Sequence, residues 1–256
     1  MHTYSADGQS ELTAYVFHPA PAEKVGPRAA IVLFHGGGWA FGHPQWVFTQ
    51  AQHYAEHGMV AVAAEYRLSD HGEITPVEAM ADARAAIRWT RENADTLGVD
   101  PGRIAAYGCS AGAHLAVAAA VFDDAAEGAV GCSPDALVLV SPAVSLQTDR
   151  WFRGLLGDKA TVSEVNPVEH MREGLPPAIV LQGDVDTVTP LAGVREFCQL
   201  LRAKGTKCEL HVYKGFGHVF TPEGTSDQGE PRTDPRAEAD AHAKADRFLI
   251  SLGYME

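Results

Sequence analysis

The sequence predicts an α/β fold with a mostly parallel, doubly wound sheet, helices on both faces and a short lid-like insertion. Short apolar, β-branched runs alternate with longer segments of helical spacing, as expected for βαβ units. The runs are apolar at consecutive positions, which is typical of strands buried on both faces. A chain of 256 residues is long enough for one large core without disulfides.

The strands fall into two groups. Five are short buried runs that we expect to pair in parallel, and two further runs, one early and one late, add strands near the sheet edges. The five are Ala30–Phe34, Val60–Ala64, Ile104–Tyr107, Ala136–Val140 and Ala178–Leu181, and the two are Leu12–His18 and Cys208–Tyr213.

Five helices are expected between the strands, because apolar residues recur there about every 3.6 positions. They are Pro44–His57, Pro76–Leu97, Ala111–Phe122, Leu191–Lys204 and Ala237–Leu252. No internal repeat or interdomain linker interrupts them.

Two segments depart from the alternation of strand and helix. Ser145–Pro177 carries aromatic and leucine residues among polar ones, and Thr221–Pro235 is rich in Gly, Pro and charge, which is typical of a surface loop. We therefore expect a single domain over residues 1–256 with a small insertion at about 145–177.

The charge balance bears on the partners of the protein. Its 33 acidic residues outnumber 20 basic ones, for a net charge of −13, which disfavours nucleic acid and anionic membranes as partners. The most apolar run, Leu115–Phe122, is too short to span a bilayer. The first residues have no basic stretch followed by an apolar one, so a cytoplasmic location is expected.

The cysteines are widely spaced and form no CxxC pair. This pattern indicates neither a zinc site nor a dense disulfide framework, so we expect reduced thiols. The four residues are Cys109, Cys132, Cys198 and Cys208.

The most specific motif is YGCSAGAHLA, where a predicted strand ends at Tyr107 and a helix begins at Ala111. Ser110 occupies the centre of a G-x-S-x-G pattern, and the positive end of the helix points to where an oxyanion would form. A serine that only caps the helix is the alternative. The strand–turn–helix context favours a nucleophile.

A serine nucleophile needs a base and an acid that orients the base. The chain order expected for this arrangement is Ser, acid, His. QGDVDTVTP follows a predicted strand and offers Asp184 and Asp186, and KGFGHVF places His218 after the last strand. His114 and His35 are expected to form local packing or hydrogen-bond contacts instead.

The run HGGGW follows the strand Ala30–Phe34. A tight turn needs one or two glycines, whereas three allow the backbone to approach a reacting atom without obstruction by a Cβ atom. We therefore expect the N–H groups of Gly37, Gly38 and Ala111 to form an oxyanion hole.

With these residues in place, the chain resembles α/β-hydrolase serine esterases of the carboxylesterase and lipase kind. The resemblance is strongest to the hormone-sensitive-lipase-like and the acetyl-xylan- and feruloyl-esterase-like branches. The matching motifs, in family order, are FHGGGWAFG, AAEYRLS, GCSAGAHLA, LQGDVDTVTP and GFGHVF. The resemblance implies Ser110 as nucleophile, His218 as base and Asp186 as acid, with Asp184 as the alternative acid.

The resemblance also implies a structural ion pair between Arg67 and Asp82. The motifs differ from the family pattern at Cys109, where Asp is common, and at Ala113, where Gly is common. Little sequence precedes HGGG, so we expect no N-terminal cap helices and a fairly open site covered only by the insertion.

Four aromatic residues are candidates for the substrate pocket. Trp39 and Phe41 follow the glycines and would line the acyl side, with plain core packing as the alternative. Trp151 and Phe152 would line the alcohol side from the insertion.

The expected function is a serine carboxylesterase that hydrolyses small carboxylic esters through an acyl-enzyme, with acetyl and feruloyl esters of carbohydrates among the candidates. The alternatives are a peptidase on the same fold and a non-catalytic ligand-binding homologue. The chemistry requires no metal ion and no organic cofactor. A small-molecule ester is the expected partner, and the sequence leaves the oligomeric state open, a homodimer included.

Overall fold

The computed structural model describes residues 1–8, 10–20, 26–70, 72–122, 130–225 and 232–255. These residues form an eight-stranded sheet in the order β1-β2-β4-β3-β5-β6-β7-β8. The strands are β1 His2–Tyr4, β2 Leu12–Phe17, β3 Arg28–Phe34, β4 Val60–Ala64, β5 Val99–Cys109, β6 Ala136–Val140, β7 Ala178–Gly183 and β8 Cys208–Tyr213. The pairs β1–β2 and β2–β4 are antiparallel, and the pairs from β4 through β3, β5, β6 and β7 to β8 are parallel.

The helices cover both faces of this sheet. They are α1 Phe48–Glu56, α2 Pro76–Glu92, α3 Ala94–Leu97, α4 Ala111–Val121, α5 Arg150–Leu156, α6 Val162–Val165, α7 Leu191–Ala203 and α8 Pro235–Ser251. Helices α2, α4 and α7 pack on one face, and α1 and α8 pack on the other. Within β3, Val32 points to the first face and Ile31 and Leu33 to the second, so the strand is buried on both sides.

The predicted α/β architecture is confirmed, and the seven predicted strands are present. Their ends differ by at most two residues, except that β5 begins at Val99 and not at Ile104. The three-residue strand β1 was not predicted. Two predicted helices are interrupted. The segment from Pro44 to His57 begins as a 3-10 helix before α1, and the Asn93 side chain, which donates to the Trp89 carbonyl at 2.8 Å, marks the break between α2 and α3.

The insertion at 145–177 contains α5, α6 and a 3-10 helix, and its side chains Phe152, Leu155 and Leu156 are buried in the core. Of the predicted loop Thr221–Pro235, residues 226–231 lie outside the described residues, and the remainder has no helix before Pro235. In the described part of the chain before β3 there are two strands and no helix.

The expectation of four reduced cysteines is wrong for two of them. Cys198 on α7 and Cys208 on β8 form a disulfide, with their Cα atoms 5.5 Å apart. Helix α7 turns back to pack against β8, and cysteine spacing carries no information about this packing. Cys109 and Cys132 are not disulfide-bonded. Within the described ranges, no helix has both the length and the hydropathy needed to cross a bilayer.

The expected ion pair is present between Arg67, which follows β4, and Asp82 on α2. The guanidinium donates to both carboxylate oxygens of Asp82, at 2.7 to 3.1 Å, and the Arg67 backbone N–H donates to the same group. The Asp82 side chain is fully buried. Burial raises its pKa, although the hydrogen bonds from Arg67 oppose that rise. The pair connects the chain after β4 to α2.

Candidate active site

Ser110 lies in the turn between β5 and α4, at the carboxyl edge of the parallel strands. Its backbone is in an unusual conformation for a non-glycine residue, with φ 55° and ψ −119°. Gly112 follows at the start of α4, where a Cβ atom would overlap the carbonyl oxygens of Phe34 and His35. The absence of a side chain there lets α4 begin against the end of β3, and Ser110 is thereby presented at the sheet edge.

His218 connects Ser110 to an acidic residue. Its Nε2 lies 2.9 Å from Ser110 Oγ, and its Nδ1 lies 3.0 Å from Asp186 Oδ2. Three residues that are far apart in the sequence therefore form one row of hydrogen bonds. With the proton on Nδ1, the imidazole donates to the carboxylate and leaves Nε2 as an acceptor that faces the serine hydroxyl.

The Asp186 carboxylate is held by donors on both oxygens. Oδ1 accepts from the backbone N–H groups of Val188 and Thr189 at 2.9 and 2.8 Å. Oδ2 accepts from the Gln182 amide at 3.0 Å and the Thr189 hydroxyl at 2.8 Å, in addition to His218. Burial opposes ionisation of Asp186, but its bonds to His218 and Thr189 and the His218 charge outweigh it, so the pKa lies below its usual value.

Asp184, the alternative acid, has a different contact. Its Oδ1 accepts from the backbone N–H of Gly215 at 2.7 Å, in the turn that follows β8. Asp186 therefore lies beside His218, whereas Asp184 stabilises the turn after β8.

Ser141, after β6, was not singled out from the sequence. Its Oγ accepts from the Val219 backbone N–H at 3.0 Å, directly after His218, and its carbonyl oxygen lies 3.1 Å from Thr189 Oγ1. Thr189 and Gln182 were also missed as partners of Asp186. Both lie in the LQGDVDTVTP motif, so that motif could have indicated them. Ser141 lies outside every motif and has no such signal.

The glycine loop after β3 has its carbonyl groups occupied. The Gly37 carbonyl accepts from the N–H groups of Ala40 and Phe41, and His35 Nδ1 lies 2.6 Å from the Gly36 carbonyl. The Gly38 carbonyl accepts from the indole N–H of Trp151 at 2.9 Å.

The N–H groups of Gly37, Gly38 and Ala111 have no hydrogen-bond acceptor among the described residues. Gly37 has φ 117°, and a Cβ atom there would overlap the Phe41 carbonyl oxygen, so this conformation requires glycine. The loop thus directs its carbonyl groups into internal hydrogen bonds and leaves N–H groups available beside Ser110.

Two cavities meet at Ser110. The inner cavity, of about 680 Å³, extends past Cys109 and His218 toward α1 and α8. The insertion-side cavity, of about 710 Å³, lies between Trp151 and the residues from Thr187 to Val194. Gly38 lines both cavities, whereas His218 lines only the inner one.

The four predicted pocket aromatics have separate positions. Phe41 is 61% exposed and lines the inner cavity, and Trp151 is 43% exposed and lines the insertion-side cavity. Their rings stack with centroids 6.2 Å apart. Trp39 borders the insertion-side cavity, but only 3% of its surface is exposed. The prediction that Phe152 lines a pocket is wrong, because its ring is fully buried against Trp39 and lines neither cavity.

The parallel sheet, with a strand–turn–helix serine at its carboxyl edge, places the protein in the α/β-hydrolase class. In the described residues, no group of three His, Cys, Asp or Glu side chains is arranged to hold a metal ion.

Comparison with known proteins gives the family. The apo form of Thermogutta terrifontis esterase 2 is 34% identical in sequence with a TM-score of 0.87, and the match covers 100% of this chain and 95% of that one. The same esterase phosphoramylated by tabun is 33% identical with a TM-score of 0.84, covering 99% and 95%. A family model described as BD-FAE matches residues 17–136.

A curated relative, isoprenylcysteine alpha-carbonyl methylesterase of Arabidopsis thaliana, is 26% identical over 242 residues, which cover 84% of this chain and 55% of the relative. The chain thus spans about half the length of the curated relatives that it matches. The chain belongs to the α/β-hydrolase esterases of the hormone-sensitive-lipase-like type.

Proposed function

We propose that this protein is a serine carboxylesterase that hydrolyses small carboxylic esters through an acyl-enzyme. The observation that carries the proposal is the row of hydrogen bonds from Ser110 Oγ to His218 Nε2 at 2.9 Å and from His218 Nδ1 to Asp186 at 3.0 Å. His218 takes the hydroxyl proton as Oγ attacks the ester carbonyl, and Asp186 stabilises the imidazolium that forms. His218 then protonates the leaving alcohol and activates the water that releases the acid.

In this mechanism the N–H groups of Gly37, Gly38 and Ala111 bind the oxyanion. Support comes from their lack of acceptors among the described residues and from their position beside Ser110. Ala111 is the first residue of α4, so the positive end of the helix dipole adds to the stabilisation. Loss of one such donor typically lowers turnover by about 10²–10³.

The position of His218 also orients the ester. The leaving oxygen has to receive its proton from Nε2, so the alcohol lies on the His218 side of Ser110. His218 lines the inner cavity, and we therefore propose that this cavity takes the alcohol and that the insertion-side cavity takes the acyl group. This orientation exchanges the roles expected for Phe41 and Trp151 from the sequence.

We further propose acetyl and feruloyl esters of carbohydrates as substrates. The resemblance of the motifs to acetyl-xylan- and feruloyl-esterase-like enzymes supports them. The Arabidopsis relative is named a methylesterase. Methyl esters of S-alkylcysteine are therefore a further candidate class of substrate. An activity profile over acyl length, carried out with simple, carbohydrate and methyl esters, decides among these groups.

The decisive test of the proposed activity is hydrolysis of p-nitrophenyl acetate by Ser110→Ala. We expect this variant to lose activity while its thermal unfolding stays close to that of the wild type, and Ser251→Ala on α8 is the matched control. Retained hydrolysis in Ser110→Ala would refute the assignment. A fluorophosphonate probe that labels the wild type but not Ser110→Ala excludes a non-catalytic homologue, and an amide substrate panel tests the peptidase alternative.

A further inference from the structure

A buried histidine lies beneath the glycine loop and belongs to none of the groups in the mechanism. His114, on α4, accepts a hydrogen bond at Nδ1 from the indole Nε1–H of Trp39, with 3.1 Å between the nitrogens. Its Nε2 lies 3.3 Å from the Val165 carbonyl oxygen. His114 is fully buried, and the Phe152 ring contacts both it and Trp39, with centroid distances of 5.4 and 4.7 Å.

These partners determine the protonation state of His114. An indole N–H can only donate, so Nδ1 has to be an acceptor, and a carbonyl can only accept, so Nε2 has to carry the proton. A neutral imidazole in one tautomer satisfies both contacts. Burial lowers the pKa of His114 to about 4, which favours the same neutral form at physiological pH.

The two ends of this hydrogen bond belong to the two sides of the oxyanion hole. Trp39 directly follows Gly38, and its backbone has φ 61°, a left-handed conformation that is uncommon for a residue other than glycine. His114 lies one helical turn after Ala111 on α4. The bond therefore joins the loop that carries the Gly37 and Gly38 N–H groups to the helix that carries the Ala111 N–H group.

Other hydrogen bonds hold the backbone of the loop: the Gly38 carbonyl accepts from Trp151, a residue that is 43% exposed, and the Trp39 carbonyl accepts from the backbone N–H of Ser69 at 2.8 Å. The bond to His114 holds the Trp39 side chain instead, and because both rings are buried it is shielded from competing water. Through Val165 on α6, it also connects the loop and α4 to the insertion.

We propose that His114 is a positioning residue, which orients Trp39 and thereby fixes the separation of the oxyanion donors on the glycine loop from the donor on α4. His114 does not touch the substrate in this role, and the proposal rests on the proposed esterase function. Oxyanion donors act in the transition state, so a loss of alignment lowers kcat more than it raises KM.

The test uses three substitutions. His114→Leu removes both hydrogen bonds and keeps an apolar side chain in the core. Trp39→Phe keeps an aromatic ring but removes the donor. His114→Gln retains one acceptor and one donor at a spacing close to that of the two ring nitrogens. His57→Leu, at an exposed position after α1, is the matched control.

We expect His114→Leu and Trp39→Phe each to lower kcat for p-nitrophenyl acetate at least about tenfold with KM within about twofold, since misalignment of a reacting group has effects of this order or larger. The variant that combines His114→Leu with Trp39→Phe is expected to have a kcat no lower than that of the slower single variant, because the two side chains act through one hydrogen bond. His114→Gln is expected to recover most of the loss. A purely structural role predicts instead a lower unfolding temperature with unchanged kcat, and that result would overturn the proposal.

Amide NMR provides a readout that does not depend on activity. In His114→Gln, the N–H resonances of Gly38 and Ala111 should stay close to their wild-type positions, whereas in Trp39→Phe they should shift. Unchanged resonances in Trp39→Phe contradict the positioning role even if no hydrolysis is observed. If the wild type neither hydrolyses esters nor reacts with the fluorophosphonate probe while the resonances do shift, the esterase function fails and the structural coupling stands. These two variants also supply the test if His114→Leu does not fold.

Discussion

Replacing Asp186 by Asn removes the negative charge beside His218 and changes the hydrogen-bonding capacity of the side chain at the same size. In the wild type, five donors converge on the carboxylate: the N–H groups of Val188 and Thr189, the Thr189 hydroxyl, the Gln182 amide and His218 Nδ1. An asparagine amide has only one acceptor oxygen, so in either orientation its NH₂ group faces donors.

With the NH₂ group on the His218 side, Nδ1 of the ring has to accept, and the proton moves to Nε2. Nε2 then faces Ser110 as a donor and cannot take the hydroxyl proton. A wrong tautomer of this kind costs about 10⁴ in turnover in serine proteases. We expect a loss of about 10³–10⁴ in kcat for Asp186→Asn, which corresponds to about 4–5 kcal/mol in the activation free energy.

The assay is hydrolysis of p-nitrophenyl acetate, with thermal unfolding measured on the same samples. Asp184→Asn is the matched control, because it removes the same charge two residues away and affects the contact with Gly215 instead. We expect its kcat to stay within about tenfold of the wild type, since Asp184 makes no contact with His218. A larger loss in Asp184→Asn than in Asp186→Asn, with both variants folded, would refute the reasoning.

Three further outcomes follow from the structure. Gly37→Ala places a Cβ atom on the Phe41 carbonyl and should lower kcat by about 10²–10³; near-wild-type kcat contradicts the loop's role. Burial lowers the pKa of both His35 and His114 from 6.5 to about 4. Between about pH 4 and about pH 6.5, these two histidines bind protons in the unfolded chain but not in the folded one. The free energy of unfolding, measured by denaturation at constant temperature, should therefore fall as the pH drops from about 6.5 to about 4, and it should fall less in His114→Gln. Asp82→Ala should destabilise the fold by about 3–5 kcal/mol in urea unfolding because its arginine partner stays partly buried, with kcat of the folded fraction unchanged.

The local elements of the site could be predicted from the sequence because their causes are local. The strand–turn–helix at Ser110 needs small neighbours at fixed positions, and the loop at Gly37 needs a backbone that only glycine adopts without strain. Both requirements are visible in a few consecutive residues. The strand–helix alternation is equally local, because the period of apolar residues reports which faces are buried.

The contacts between distant segments could not be predicted, because they depend on how the chain packs. The residue pattern offers two acids in one short motif, and only the family resemblance favours Asp186; the direction of the chain after β7 places Asp186 at His218 and Asp184 at the turn after β8. Helix α7 brings Cys198 to Cys208 in the same way.

The sequence by itself therefore determined the α/β class, the esterase family motifs and the positions of Ser110, His218 and the glycine loop. The tertiary structure alone decided that Asp184 contacts the turn after β8, that Phe152 is core while Trp151 borders a cavity, and that His114 reaches Trp39. The physical reason is that backbone conformation and hydrophobic period are encoded in neighbouring residues, whereas a hydrogen bond between side chains requires the three-dimensional positions of both partners.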